Sequence, residues 1–338
     1  MAGLDRNDRP ESIGIGGRDA SEYAVDEAHA LINPVGHNLG FPRGWCPQVG
    51  PQVFHIIRAS KISVFLLDCK QSFRDSETTS IKDIYNYATM LNADIKHIDL
   101  GGLQFRCGGS KEYVDWVETL FDIKKDTKLD TSWRKLGSNA TAQFIFEIVD
   151  TPHDLDNVLS LLFEKGSSVR LISSYSVPWK TKDKNDIHKL PPHQQDFVIN
   201  YVHKSEKKTW VRPWNYAPKE DYTMFIQAVN GSEMSKNPLA EVGCPYVVRG
   251  FDFDYLGVLW LNDLVWREDK WVIQFDNIHE TALRIAIAEA KRGNTEKLEM
   301  KIKLAYRILL TRALRGIYIY IHDPETKAHI ESLLNDNK

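Results

Sequence analysis

Apolar runs and helical spacings alternate along most of this chain. Ile62 to Leu67 (Ile-Ser-Val-Phe-Leu-Leu) is a strand-length apolar run ending at Asp68, and it predicts a buried strand. A shorter apolar stretch, Tyr23 to Val25, ends at Asp26. Phe144 to Val149, Val169 to Ser173 and Leu256 to Leu261 predict further strands, and Gly316 to Ile321 alternates Tyr and Ile. Between these runs, helical spacing covers 52–59, 80–91, 111–121, 154–165, 281–291 and 297–310. On 111–121 the apolar positions are Tyr113, Val114, Trp116, Val117 and Leu120; on 154–165 they are Leu155, Val158, Leu159 and Leu162. Asp323 followed by Pro324 predicts the start of a last helix. Strands alternating with helices predict an α/β fold with a mostly parallel sheet.

The breaks in this pattern set the organisation. Residues 1–20 are polar and Gly-rich and read as a disordered or remnant segment. Residues 33–50 are rich in Gly and Pro and read as a loop. Residues 176–240 carry many Pro, Trp, Lys and Asn and read as an irregular insertion. The run before Asp26 is short for a buried parallel strand, so the first domain reads as incomplete at its front.

Composition narrows the classes. A chain of 338 residues predicts about two domains. Its 42% hydrophobic content suffices for substantial cores. A formal net charge of -3 argues against a polybasic nucleic-acid coat but leaves room for a local basic groove. Cys46, Cys69, Cys107 and Cys244 form no C-x-x-C pair, so neither a zinc site nor a disulfide framework is expected. A reducing, cytoplasmic compartment fits this usage. No apolar run reaches about 18 residues, so no membrane span is expected.

Five short strings carry candidate chemistry. Val25-Asp26-Glu27-Ala28-His29 ends a strand on two carboxylates: the first can hold magnesium, the second can polarise water. Its ordinary reading is an acidic helix start. Asp68-Cys69-Lys70-Gln71 follows the strongest strand, where α/β folds bind ligands, and Gln71 can sense a terminal phosphate. In Gln104-Phe105-Arg106-Cys107-Gly108-Gly109-Ser110, an arginine fork precedes a glycine turn and a helix start that favours anions. Arg249-Gly250-Phe251-Asp252-Phe253-Asp254-Tyr255 can present a carboxylate to a ribose. Tyr306-Arg307-Ile308-Leu309-Leu310-Thr311-Arg312 ends in an arginine suited to a transferring phosphoryl group. Taken singly, Arg106 reads equally well as a surface residue, whereas Arg307 and Arg312 read more readily as a solvated basic helix end. Trp210, Trp214, Trp260, Trp266 and Trp271 can stack bases, although tryptophans are more often core.

In this order the strings resemble the superfamily 1 helicase motor, and most closely the Schlafen group 3-like DNA/RNA helicase domain, long catalogued as domain of unknown function 2075. D-E-A-H at 26–29 resembles motif II, and D-C-K-Q at 68–71 resembles motif III. Q-F-R-C-G-G-S at 104–110 resembles motif IV, residues 242–258 resemble motif V, and Y-R-I-L-L-T-R at 306–312 resembles motif VI. The resemblance runs from about residue 24 to 322. Two departures stand out. No G-x-x-x-x-G-K-[ST] loop occurs in the chain, and motif V carries Arg249 and Asp252 where the family often reads Q-G-x-E.

The resemblance implies a RecA-like P-loop NTPase fold, parallel sheets flanked by helices, with residues 21–103 as the back of an incomplete first domain. Residues 104–334 would form the second domain. It implies ATP and Mg2+ as ligands and DNA or RNA as partner, while the absent phosphate loop makes a separately encoded N-terminal half a further candidate partner. Carried over by position, Asp26 would hold the metal and Glu27 would activate water. Gln71, Arg106, Gly250, Asp252 and Arg307 would bind the nucleotide, and Arg312 would act as an arginine finger. The expected activity is an ATP-dependent helicase or translocase, weak or silent in this chain alone. The alternative is a non-catalytic nucleic-acid- or partner-binding remnant.

Overall fold

Five parallel strands, in the order β3 (Ile145–Val149), β11 (Ala313–Ile321), β8 (Phe253–Trp260), β4 (Val169–Ser173) and β7 (Val242–Gly243), form the main sheet of this protein, described here from a computed structural model. The structure describes residues 22–32, 51–100, 104–125, 129–135, 143–217 and 229–335. The readings of 1–20 and 33–50 lie outside them. In chain order the elements begin β1 (Glu22–Val25), α1 (Gln52–Ala59), β2 (Ile62–Phe65), α2 (Ile81–Met90) and α3 (Lys111–Leu120). Next come β3 (Ile145–Val149), α4 (Pro152–Glu164), β4 (Val169–Ser173), β5 (Phe197–His203), β6 (Glu206–Arg212) and α5 (Glu233–Lys236). Then follow β7 (Val242–Gly243), α6 (Pro245–Arg249), β8 (Phe253–Trp260), β9 (Leu264–Arg267) and β10 (Lys270–Ile273). The last are α7 (Arg284–Ala290), α8 (Glu296–Thr311), β11 (Ala313–Ile321) and α9 (Pro324–Asn335).

The chain divides into two compact units, Met1–Asp99 with Ala282–Leu304, and Leu100–Thr281 with Ala305–Lys338. The sequence pattern placed 104–334 in one domain; in the structure Ala282–Leu304 groups with the first unit.

In the first unit β1 runs parallel to β2, with Val25 opposite Phe65. Ser80 and Asp83 form a capping box that starts α2. Phe54 on α1 meets Tyr87 on α2 edge to face. The expectation of a buried strand at 62–67 is corrected here. Ile62, Val64 and Leu66 are 54%, 49% and 49% exposed. Among the described strands β2 has β1 as its single neighbour, and one face of the pair lies open.

In the second unit α4 covers one face of the five-strand sheet with Leu155 and Leu159, which join a core containing Leu171, Tyr255 and Tyr318. Gly257 permits this approach: a Cβ there would lie 2.3 Å from a Leu159 methyl. An aromatic cluster packs elsewhere in the unit, where Trp116 of α3 meets Phe146 and Tyr306 of α8 meets Trp260. The predicted cap of the last helix forms, with Asp323 Oδ1 accepting from Thr326 N at 2.8 Å.

The insertion at 176–240 is not irregular throughout. It contains the antiparallel hairpin β5–β6, anchored where the Trp210 indole and Arg212 both donate to Asp156 on α4. A second hairpin, β9–β10, was not foreseen. Trp210, Trp214, Trp260 and Trp271 are at most 3% exposed and belong to the core, so they are not available to stack bases. Trp266 stacks on His329 at 3.6 Å. Among the described residues no helix is long and apolar enough to cross a membrane.

Candidate functional site

In the first unit two motif strings meet because their strands end together. The ladder continues past the strands: Leu66 N donates to Val25 O and Ala28 N to Leu66 O, each at 2.9 Å. This register brings the segment after β1 beside the segment after β2. Asp26 is exposed, and its carboxylate accepts from Glu27 N at 2.9 Å. Glu27 sits at φ 51, a left-handed conformation costly for a residue with a Cβ. The turn sets its carboxylate 3.1 Å from Nε2 of His29, which is 1% exposed. After β2, Asp68 organises its own turn, accepting from Lys70 N at 3.0 Å and from Gln71 Nε2 at 2.8 Å.

Asp26, Glu27, Asp68 and Gln71 therefore lie at the carboxyl ends of two neighbouring parallel strands, the usual ligand edge of such sheets. No group of three or more metal-ligating side chains occurs among the described residues. Magnesium commonly takes one or two carboxylates and completes its shell with water and substrate phosphates. The exposed Asp26 fits that donor pattern.

In the second unit the other three strings converge at the opposite kind of edge, where β8 and β11 begin. Cys107 is the hub. It is fully buried at φ 57, and its thiol donates to Thr311 O at 3.4 Å. Burial pushes that thiol up to about 12, against a Gln104 hydrogen bond and the charges of Arg106, Arg307 and Arg312. Arg106 Nε donates to Asp252 Oδ1 at 2.7 Å, which ties in the 249–255 string. Tyr113 donates from its hydroxyl to Leu310 O at 2.7 Å, docking α3 on the end of α8.

The arginines differ in their settings. Arg106 is part-exposed, whereas Arg249, Arg307 and Arg312 are at most 9% exposed. Buried guanidinium groups are costly unless partnered. Arg307 Nε donates to Glu118 Oε1 on α3 at 2.8 Å, and Glu118 is 3% exposed. Gly250 has no positive φ, and nothing lies within 4 Å of the Cβ it lacks, so the fold itself does not demand glycine there. That opening fits close approach of a ligand to the backbone.

The sequence readings missed Cys107 and Glu118. Cys107 was visible only as part of a string. Glu118 pairs with a residue 189 positions away, for which no local signal exists. Also missed was Asp263, 1% exposed, which accepts from the Tyr306 hydroxyl at 2.6 Å. Burial raises its carboxyl to about 6, against hydrogen bonds from Tyr306 and Ser174. It follows the end of β8 and so lies away from the arginine edge.

Comparison with known proteins adds a family. A family model described as Schlafen group 3, DNA/RNA helicase domain, matches residues 19–323. An uncharacterized protein of Saccharomyces cerevisiae is 23% identical over 340 residues, covering 94% of this chain. The chain spans 65% of the length of that relative. No solved structure matches the chain.

Proposed function

The chain belongs to the Schlafen group 3 DNA/RNA helicase domain family, and from that premise we propose that it works as part of an ATP-dependent helicase or translocase motor. The family supports a helicase-like role on nucleic acid. The helix-flanked sheet of five parallel strands is consistent with a RecA-like P-loop fold.

The observation that carries the reading is the meeting of three motif strings at one sheet edge, where Arg106 bonds Asp252 and Cys107 bonds Thr311 next to Arg312. Guanidinium forks are suited to phosphate oxygens. In this reading Arg106, Arg307 and Arg312 take nucleotide phosphates, Arg312 as the finger that offsets charge on the transferring group. Asp252 and Gly250 face the ribose. Asp26 would hold Mg2+, which would neutralise phosphate charge, Glu27 would orient the attacking water, and Gln71 would read the terminal phosphate.

Turnover by these 338 residues alone is expected to be weak. They contain no G-x-x-x-x-G-K-[ST] loop. The amides and lysine of such a loop supply transition-state electrostatics, and losing one comparable donor costs about 100- to 1,000-fold. A separately encoded segment carrying that loop is the partner this reading calls for. The test is ATP hydrolysis with and without nucleic acid. Turnover well below about 1 per second is expected, and nucleic-acid-stimulated turnover at that rate or above would contradict it.

The missing loop also favours a second reading, a non-catalytic module that binds nucleic acid or a partner protein. Binding of a labelled ATP analogue separates the two. The motor reading expects Arg312→Ala to weaken it; the non-catalytic reading expects no change.

A further inference from the structure

The β5–β6 hairpin is an anchored ribbon with a basic free end. Its base is fixed: Phe197, Ile199 and Trp210 are buried, Arg212 is bonded to Asp156, and the Tyr201 hydroxyl is bonded to His153 of α4. Residues 204–209, with Lys208 opposite Tyr201, are all exposed. They read Lys-Ser-Glu-Lys-Lys-Thr, three lysines against one glutamate in a chain whose net charge is -3.

The placement of these lysines is informative. Lys207 pairs with Val202 and Lys208 with Tyr201, so the two side chains leave opposite faces of the ribbon. Lys204 occupies the turn that joins β5 to β6. A ribbon end with cations on both faces suits a site flanked by phosphates on two sides.

The turn itself adds an independent observation. Lys204 and Ser205 both have positive φ, 49 and 67. Two-residue hairpin turns of this kind strongly prefer Asn-Gly or Asp-Gly. Lys204 and Ser205 therefore stand where Asn-Gly would be less strained. The β9–β10 hairpin has a left-handed pair too, at Glu268 and Asp269, with the opposite charge. Turn geometry alone thus does not call for lysine.

We infer that the end of the β5–β6 ribbon is a duplex-DNA contact that enters the major groove, with Lys204, Lys207 and Lys208 against its phosphate walls. The major groove of B-form DNA admits a two-stranded β-ribbon, whereas that of A-form RNA is deep and narrow. The outward face, Val198, Asn200, Val202, Thr209 and Val211, carries no aromatic ring for stacking unpaired bases. The inference rests on the nucleic-acid reading above and extends it to a named surface.

Two variants of the full chain test it, with a labelled DNA duplex and a single strand of the same sequence as probes. Lys204→Ala/Lys207→Ala/Lys208→Ala should flatten the salt dependence of duplex binding by about 0.9 per lysine. At about 0.1 M salt, affinity should fall on the order of a hundredfold, with a smaller loss for the single strand. Lys204→Asn/Ser205→Gly should raise the melting temperature and still weaken duplex binding. Parent-like duplex binding by either variant would overturn the inference, as would a larger loss on the single strand. A parent chain that binds neither probe would instead remove the motor reading itself.

Discussion

The two candidate sites are built on opposite plans. In the first unit, carboxylates and an amide project from the carboxyl ends of β1 and β2, each positioned by a turn a few residues long. In the second, arginines stand where β8 and β11 begin, and they are held by side chains far away in sequence, such as Glu118 for Arg307. Asp26 is exposed, whereas Arg307 and Arg312 are at most 9% exposed. Acids exposed at a strand end can change chemistry with little effect on the fold. Buried arginines serve packing and chemistry at once. Both plans use one strained non-glycine residue, Glu27 in the first and Cys107 in the second. Loss of activity on mutation therefore has a different meaning in each unit.

The largest effect expected from this contrast is at Glu118. Glu118→Ala leaves Arg307 buried without its carboxylate and should cost about 3–5 kcal/mol in denaturant unfolding. Replacing both partners, Glu118→Leu with Arg307→Met, should recover much of that loss. A cost below about 1 kcal/mol for Glu118→Ala would place the arginine edge outside the core.

Next is a pH effect within the second unit. The native Asp263 carboxyl is raised by burial to about 6 from a usual 3.8. Its contribution is fully present below about pH 4, is lost as pH rises through about 6, and is flat above. This amounts to on the order of 2–3 kcal/mol. Asp263→Asn keeps an acceptor for the Tyr306 hydroxyl and should gain on the parent over that window when melting temperatures are compared. Parallel pH profiles would contradict it. Asp323 behaves in the opposite sense, because hydrogen bonds from Arg267 hold it well below the usual range, and its contribution is lost as pH falls.

The sheets give a third contrast. Gly257→Ala must displace Leu159 and should cost about 1–3 kcal/mol. Val64→Thr, on the open face of β2, should change stability by less than about 1 kcal/mol. Similar costs at both positions would mean that the first sheet is covered as fully as the second.

The smallest stability effect is expected at the acidic pair. Asp26→Asn should stay within about 0.5 kcal/mol of the parent while weakening magnesium-dependent nucleotide binding. A large destabilisation would make Asp26 structural.

Much of the fold was legible from local spacing and end signals. The helix at 52–59, the strand at 169–173 and the Asp323-Pro324 cap follow from local spacing and capping chemistry. Three features were not. The hairpin β5–β6 was hidden by lysines and prolines around it, although the alternation Phe197, Ile199, Tyr201 was present as a signal. An apolar run such as Ile62 to Leu67 does not reveal how many of its faces will be covered. The grouping of Ala282–Leu304 with the first unit has no local signature. The site was legible as ordered strings, because residue types announce their chemistry. Its assembly was not, since Cys107 with Thr311 and Arg307 with Glu118 join segments about 200 residues apart.

The central claim, a motor that holds nucleic acid by its backbone, is tested most directly by titrating labelled single strands and duplexes of unrelated sequence at several salt concentrations. The account predicts weak binding indifferent to sequence. Affinity should fall as salt rises, with a slope of about -0.7 per phosphate contact on single strands and -0.9 on duplex. Tight binding unchanged by salt, or marked preference for one sequence, would contradict it and point to a dedicated recognition module.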